Sequence, residues 1–219
     1  MRPIYVRLSF RALLIIGLLV PMISEARPVS YPGGWTVMSM NDGVKNSLHI
    51  HFSPTAKTSL GHRLEYYPSK ELSLHALQVN KLLKRWNKPN SQGNFYLKTG
   101  LGLSFSDLGV RNDENGITAF AGIATDWEDR RRFVSYENRY TKINSIDDFF
   151  QQSTRVGWAP YVGDYGDLHT WLMLQVEHMP EANETYIITP LIRFFKDVHL
   201  IETGISDRRD FLFNYIFRY

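Results

Sequence analysis

Phe211-Leu212-Phe213-Asn214-Tyr215-Ile216-Phe217-Arg218-Tyr219 is the stretch on which the fold of this 219-residue chain turns. Successive side chains of a β-strand point to opposite faces. Phe211, Phe213, Tyr215, Phe217 and Tyr219 therefore share one face, and Leu212, Asn214, Ile216 and Arg218 share the other. A soluble protein would bury a face of five aromatics in a core. Here the sequence stops at Tyr219, with nothing beyond to cover it, which points to a face that meets lipid instead.

Working back along the chain, the same alternation recurs. Phe95, Leu97, Leu101, Leu103 and Phe105 alternate with Tyr96, Lys98, Gly100, Gly102, Ser104 and Ser106. Leu172, Leu174 and Val176 alternate with Met173, Gln175 and Glu177, and Tyr186, Ile188, Ile192 and Phe194 with Thr185, Thr189 and Arg193. Turn-rich breaks fall at 41–43, 54–56, 67–69, 87–90, 109–116, 128–131, 142–148, 163–167, 180–184, 196–198 and 206–210. These breaks predict twelve strands, or ten or eight if the segments before Tyr67 pair differently. Apolar-out, polar-in strands separated by turns describe an all-β, antiparallel transmembrane barrel. An even strand number leaves both ends on one side of the membrane, so the odd-numbered breaks face the other side, and the two longest, 109–116 and 142–148, fit long loops there. Trp35, Trp86, Trp127, Trp158 and Trp171 lie near predicted strand ends, where amphipathic rings settle at headgroup level.

The other end of the chain carries an export pattern. Arg2, Arg7 and Arg11 precede the apolar run Ala12 to Val20, and Ser24-Glu25-Ala26 offers small residues at the −3 and −1 positions of a cleavage site. The run is shorter than the roughly 20 residues of a spanning helix. A cleaved signal peptide over 1–26 and one barrel domain over 27–219 are expected, an uncleaved anchor being the alternative. Removing three arginines and one glutamate from 25 basic and 22 acidic residues leaves 22 and 21, so no basic excess points to nucleic acid. There is no cysteine, which excludes a lipoprotein anchor, disulfides, thiolate metal sites and a cysteine nucleophile.

The alternating aromatic ending at Tyr219, together with the leader, resembles bacterial outer-membrane β-barrel proteins. In that family such a C-terminal strand is the assembly signal, so the resemblance implies that Phe211, Phe213, Tyr215, Phe217 and Tyr219 are read by the barrel-assembly machinery. It also implies the outer membrane of the Gram-negative envelope as location and its lipid as a partner. No subfamily motif accompanies the likeness, and no functional residue follows from it.

Strand parity supplies candidates directly. It places Arg63, Lys98, Arg139, Arg155, Arg193 and Arg218 inside, facing Glu65, Asp126, Glu137, Glu177 and Glu202. In a narrow barrel such a set is expected to pair, because an unpaired buried charge is costly. If the first turn centres on 42–45, Met38 lies across from His49 and Thr36 from His51. Met38, Met40, His49 and His51 would then share the inner face, a thioether and imidazole set suited to a soft ion such as Cu(I). Met and His also simply fill space in such a lumen. Ser47 and Ser73 lie near His49, His51, His75 and His178, but no G-x-S-x-G, H-E-x-x-H or Walker loop occurs. The run Asp126-Trp127-Glu128-Asp129-Arg130-Arg131-Arg132 is expected to be a turn closed by local ion pairs.

The sequence thus predicts a non-enzymatic envelope barrel without a cofactor: a small-solute or ion channel, or a structural or binding barrel with a charge-paired lumen. A Cu or Ag binder, or a lipid-modifying enzyme, is the alternative. The architectural rival is a soluble β-sandwich or lipocalin-like binder with its aromatic faces packed inward.

Overall fold

The computed structural model describes residues 28–106, 114–144, 147–164, 166–181 and 185–219. The leader expected over 1–26 lies outside these residues. Twelve strands follow one another: β1 (Trp35–Asn41), β2 (Asn46–Thr55), β3 (Thr58–Tyr67), β4 (Leu72–Lys88), β5 (Ser91–Ser106) and β6 (Glu114–Asp129) form the first half. The second half is β7 (Arg132–Ile143), β8 (Asp147–Trp158), β9 (His169–His178), β10 (Tyr186–Lys196), β11 (His199–Ile205) and β12 (Phe211–Arg218). Each pairs antiparallel with its sequence neighbours, and β12 pairs with β1 from Thr36↔Arg218 to Asn41↔Phe213, closing a barrel. Closure removes the free edges that an open sheet would present. Just below that seam, Trp35 and Tyr219 exchange both backbone hydrogen bonds, at 2.7 and 3.1 Å.

The two faces of the wall follow the period-two pattern. Outside, Leu77, Leu101 and Phe211 are the most open of a broad band of exposed apolar side chains. Inside, Glu65, Asn80, Thr118, Arg193 and Glu202 are buried. This is the inverse of a soluble β-protein, whose apolar faces pack inward, and it overturns the sandwich and lipocalin-like alternatives. Four tryptophans (Trp35, Trp86, Trp127 and Trp158) are 40–49% exposed near the strand ends on the side of Tyr219. Trp171 departs from the expected belt. It is 8% exposed and packs in the lumen against Phe133 at 6.4 Å between ring centroids. Its parity is the reason, because Leu172 and Leu174 take the outer face.

The rim is uneven. β4, β5 and β6 run for 16–17 residues, whereas β1, β11 and β12 have only 7 or 8. The turn after β2 leaves β4 unpaired with β3 beyond Lys81, so the β4–β5 hairpin projects on the side of the termini. The connection 159–168 on that same side, ten residues, is longer than 144–146 on the opposite side. The expectation that 142–148 is a long loop therefore fails: β7 and β8 stay paired from Arg132↔Trp158 up to Ile143↔Asp147, and the polar residues there belong to the ladder. The charged run 126–132 does form a locally closed turn. Asp129 accepts from the Arg131 and Arg132 backbone N–H groups and pairs with the Arg132 guanidinium at 2.8 Å.

Candidate functional site: the lumen

Charged side chains fill the lumen in two carboxylate-centred clusters. Glu65 on β3 is fully buried. It pairs with Arg63, two residues along the same face, and receives Arg139 from β7 through two N–H groups at 2.9 and 2.8 Å. β3 and β7 stand four places apart in the barrel order, so Arg139 reaches across a chord of the lumen rather than along the wall. Tyr67 donates to Glu65 at 3.0 Å, and Arg139 also donates to Gln151 at 2.9 Å. Both guanidinium groups lie over the Phe120 ring, 5.5 and 5.2 Å from its centroid. Gly100 makes room for that ring: a Cβ there would fall 2.3 Å from Phe120.

The second cluster centres on Glu202 of β11. Arg193 on β10 donates to it at 2.8 Å, Arg155 on β8 at 3.1 and 3.2 Å, and Asn214 on β12 at 2.7 Å. The Arg193 guanidinium stacks over Phe133 at 4.7 Å. Such planar, multiply bonded carboxylate–guanidinium contacts are the strong kind of charge-assisted hydrogen bond. Lys98 pairs with Glu137 directly. Asp126 accepts from Asn94 at 2.6 Å, and Asn94 in turn accepts from Arg85 at 2.7 Å. Glu177 lines the same cavity, and Arg218 is buried on the inner face. All eleven charged residues assigned inward by parity therefore lie in the lumen.

The lumen is narrow. A cavity of about 200 Å³ remains between the clusters, with Met38, Met40, His49, His51, Arg63 and Glu177 among its lining residues. At the end away from the termini, Tyr67 and Leu72 pack against Ile143 and Phe149, with the Tyr67 and Phe149 rings 5.4 Å apart, so two facing walls touch. At the other end the backbone before β1 folds inward. Val29 is buried against Leu82, Tyr96 and Ala124, and Ser59 donates to the Pro28 carbonyl at 2.7 Å. Lys45, in the β1–β2 turn, also faces the cavity. Burial works against its charge, but the field of Asp42, then Tyr67, Glu65 and Glu177, outweighs burial and holds its pKa above the ordinary lysine value.

The first hairpin has the register expected from its turn. Asp42 accepts from the backbone N–H groups of Val44 and Lys45 at 2.9 and 2.8 Å, which fixes the turn at 42–45. Met38 then pairs with His49 and Thr36 with His51. Among the described residues no candidate Ser is hydrogen-bonded to a candidate His: Ser47 shares a face with His49 but donates to the Met40 carbonyl at 3.0 Å. Ser47, His49 and His51 face the lumen, while His75 stands outside the wall against Phe105, and His178 outside against Tyr186. The buried amides Gln78 and Asn80 carry no charge to mark them as lumen candidates in the sequence. The period-two signal was there to find Gln78 and Asn80, which alternate with the outward Leu77 and Val79.

No protein-family model matches the sequence, and no curated protein matches it either. A solved structure described as "KdgM porin in complex with disordered oligogalacturonate" superposes with a TM-score of 0.50 at 11% sequence identity, covering 85% of this chain and 98% of that chain. At that identity the likeness is one of architecture: this chain has a porin-type, closed twelve-strand antiparallel β-barrel fold.

Proposed function

We propose that the protein is an outer-membrane channel for small anionic solutes, constricted by arginine–glutamate clusters that bridge its lumen. The observation that carries this reading is the two-to-one stoichiometry of the clusters. Glu65 neutralises one of Arg63 and Arg139, and Glu202 one of Arg155 and Arg193. Lys98 and Glu137 cancel, while Asp126 and Glu177 have Arg85 and Lys45 in their surroundings. A surplus guanidinium therefore remains at each cluster, and one sign of charge at a constriction selects the opposite sign of ion. The porin of similar fold was solved with oligogalacturonate, a carboxylate-bearing chain, which agrees with an anionic cargo. The barrel acts by binding and passage rather than by catalysis.

The outer surface supports the membrane placement. An exposed belt of Leu, Ile, Val and aromatic side chains with tryptophans along one rim matches a lipid-facing wall. In this reading residues 1–26 are an export signal removed on delivery to the envelope, and the aromatic face of β12 is what the barrel-assembly machinery binds.

Planar-bilayer recording of the refolded 27–219 chain tests the channel. Small, steady current steps are expected, and the reversal potential in a salt gradient should show anion preference. Arg155→Gln removes one surplus charge while Arg193 still pairs with Glu202, so anion preference should fall toward parity with folding retained. A folded wild-type barrel that passes no current, or one that prefers cations, would reject the proposal.

A further inference from the structure

We infer that the inner face of the β1–β2 hairpin is a binding site for a soft monovalent d10 cation, Cu(I) or Ag(I), built from Met38, His49 and His51 with Met40 beside them. The inference stands independently of whether the lumen conducts.

Three observations converge on the site. The ladder sets Met38 directly opposite His49, so their Cβ atoms are about 5 Å apart on one face. His51 follows at spacing two, its ring centroid 5.9 Å from that of His49. Both imidazoles are buried, at 4% and 2% exposure, yet His49 Nε2 and His51 Nδ1 have no hydrogen-bond partner. A buried polar nitrogen without a partner is destabilising, and turning the two rings from the β3 side, where His51 Nδ1 lies against Gly61, toward Met38 would give both nitrogens a ligand. All four side chains line the lumen cavity. On its other side Met38 packs against Leu200 and Ile216, which shield the thioether from water.

The surrounding charge selects among metals. Arg63 lies directly across the ladder from His49, and the nearest carboxylate, Glu65, is 4.0 Å from His49 Nε2 and already engaged by two arginines. A divalent ion would meet twice the repulsion of a monovalent one, with no carboxylate free to offset it. Among the described residues no group of three or more His, Cys, Asp or Glu is placed to hold a metal, which is the set Zn(II) would want. Thioether and neutral imidazole are instead the ligands of Cu(I) and its analogue Ag(I), which accept two- and three-coordinate geometry.

Ag(I) titration of the refolded 27–219 barrel in detergent, followed calorimetrically and by the NMR shifts of the histidine rings, tests the site. One Ag(I) per barrel is expected, perturbing His49 and His51, with no matching uptake of Zn(II). Met38→Leu, close to isosteric, and His49→Gln should each weaken Ag(I) at least tenfold, while the outward-facing His62→Gln should bind as the wild type does. Heat-shifted gel mobility confirms that each variant is a folded barrel. Absence of stoichiometric Ag(I) binding by the folded wild type, or wild-type affinity in both Met38→Leu and His49→Gln, overturns the inference.

Discussion

Replacing Glu65 by alanine is expected to destabilise the barrel by about 3–5 kcal/mol, the range for removing one partner of a buried ion pair. Glu65 is fully buried and holds Arg63, Arg139 and the Tyr67 hydroxyl at once. Without it, two largely buried guanidinium groups lie over one Phe120 ring with no direct counter-charge. The loss should appear as a lower urea midpoint for unfolding from lipid vesicles, followed by tryptophan emission. Adding Arg139→Met should recover much of it, because removing charge and counter-charge together leaves less uncompensated charge buried. An alanine variant as stable as the wild type would mean that water already reaches the cluster and that the cross-lumen bridge contributes no rigidity. The equivalent change at Glu202 should have a smaller effect, since the Arg155 side chain keeps 17% of its surface exposed and can turn toward the open lumen.

The contrast between Arg63 and Arg139 shows what was legible in the sequence. Arg63 and Glu65 are two residues apart, so any β reading puts them side by side on one face, and the period-two rule sorts the remaining lumen charges equally well. Arg139, 74 residues further on, also sorts inward, but nothing local says that it will reach Glu65 rather than Glu137 on its own strand. That choice depends on how far the barrel flattens, which the packing of Tyr67 and Leu72 on Ile143 and Phe149 decides across four intervening turns. Trp171 is the opposite lesson. Its residue type pointed to the belt while its parity with Leu172 and Leu174 pointed inward, and parity prevailed because a strand cannot turn one side chain around without a bulge. The fold of Pro28 and Val29 into the barrel mouth had no sequence signal, since a two-residue contact has no period to detect.

Deleting Tyr219 should separate the structural worth of the closing strand from its proposed role in assembly. The Tyr219 side chain is 56% exposed on the outer wall and meets the Phe217 ring at 5.2 Å. Its backbone contributes the two bonds to Trp35 that extend the β1–β12 seam. Six register pairs from Thr36↔Arg218 to Asn41↔Phe213 survive the deletion, so closure itself remains intact. The thermodynamic loss is then that of two hydrogen bonds, about 1–3 kcal/mol, and refolding of the pure chain into detergent should still yield a heat-modifiable barrel. If assembly machinery reads the aromatic face ending at Tyr219, the same deletion in cells should cut folded protein in the outer membrane at least tenfold. A barrel destabilised in vitro only to the extent of that lost seam, yet scarcely inserted in vivo, is the signature of recognition rather than of stability. Equal yields in cells would show that β12 only closes the barrel and that the aromatic periodicity answers to lipid alone.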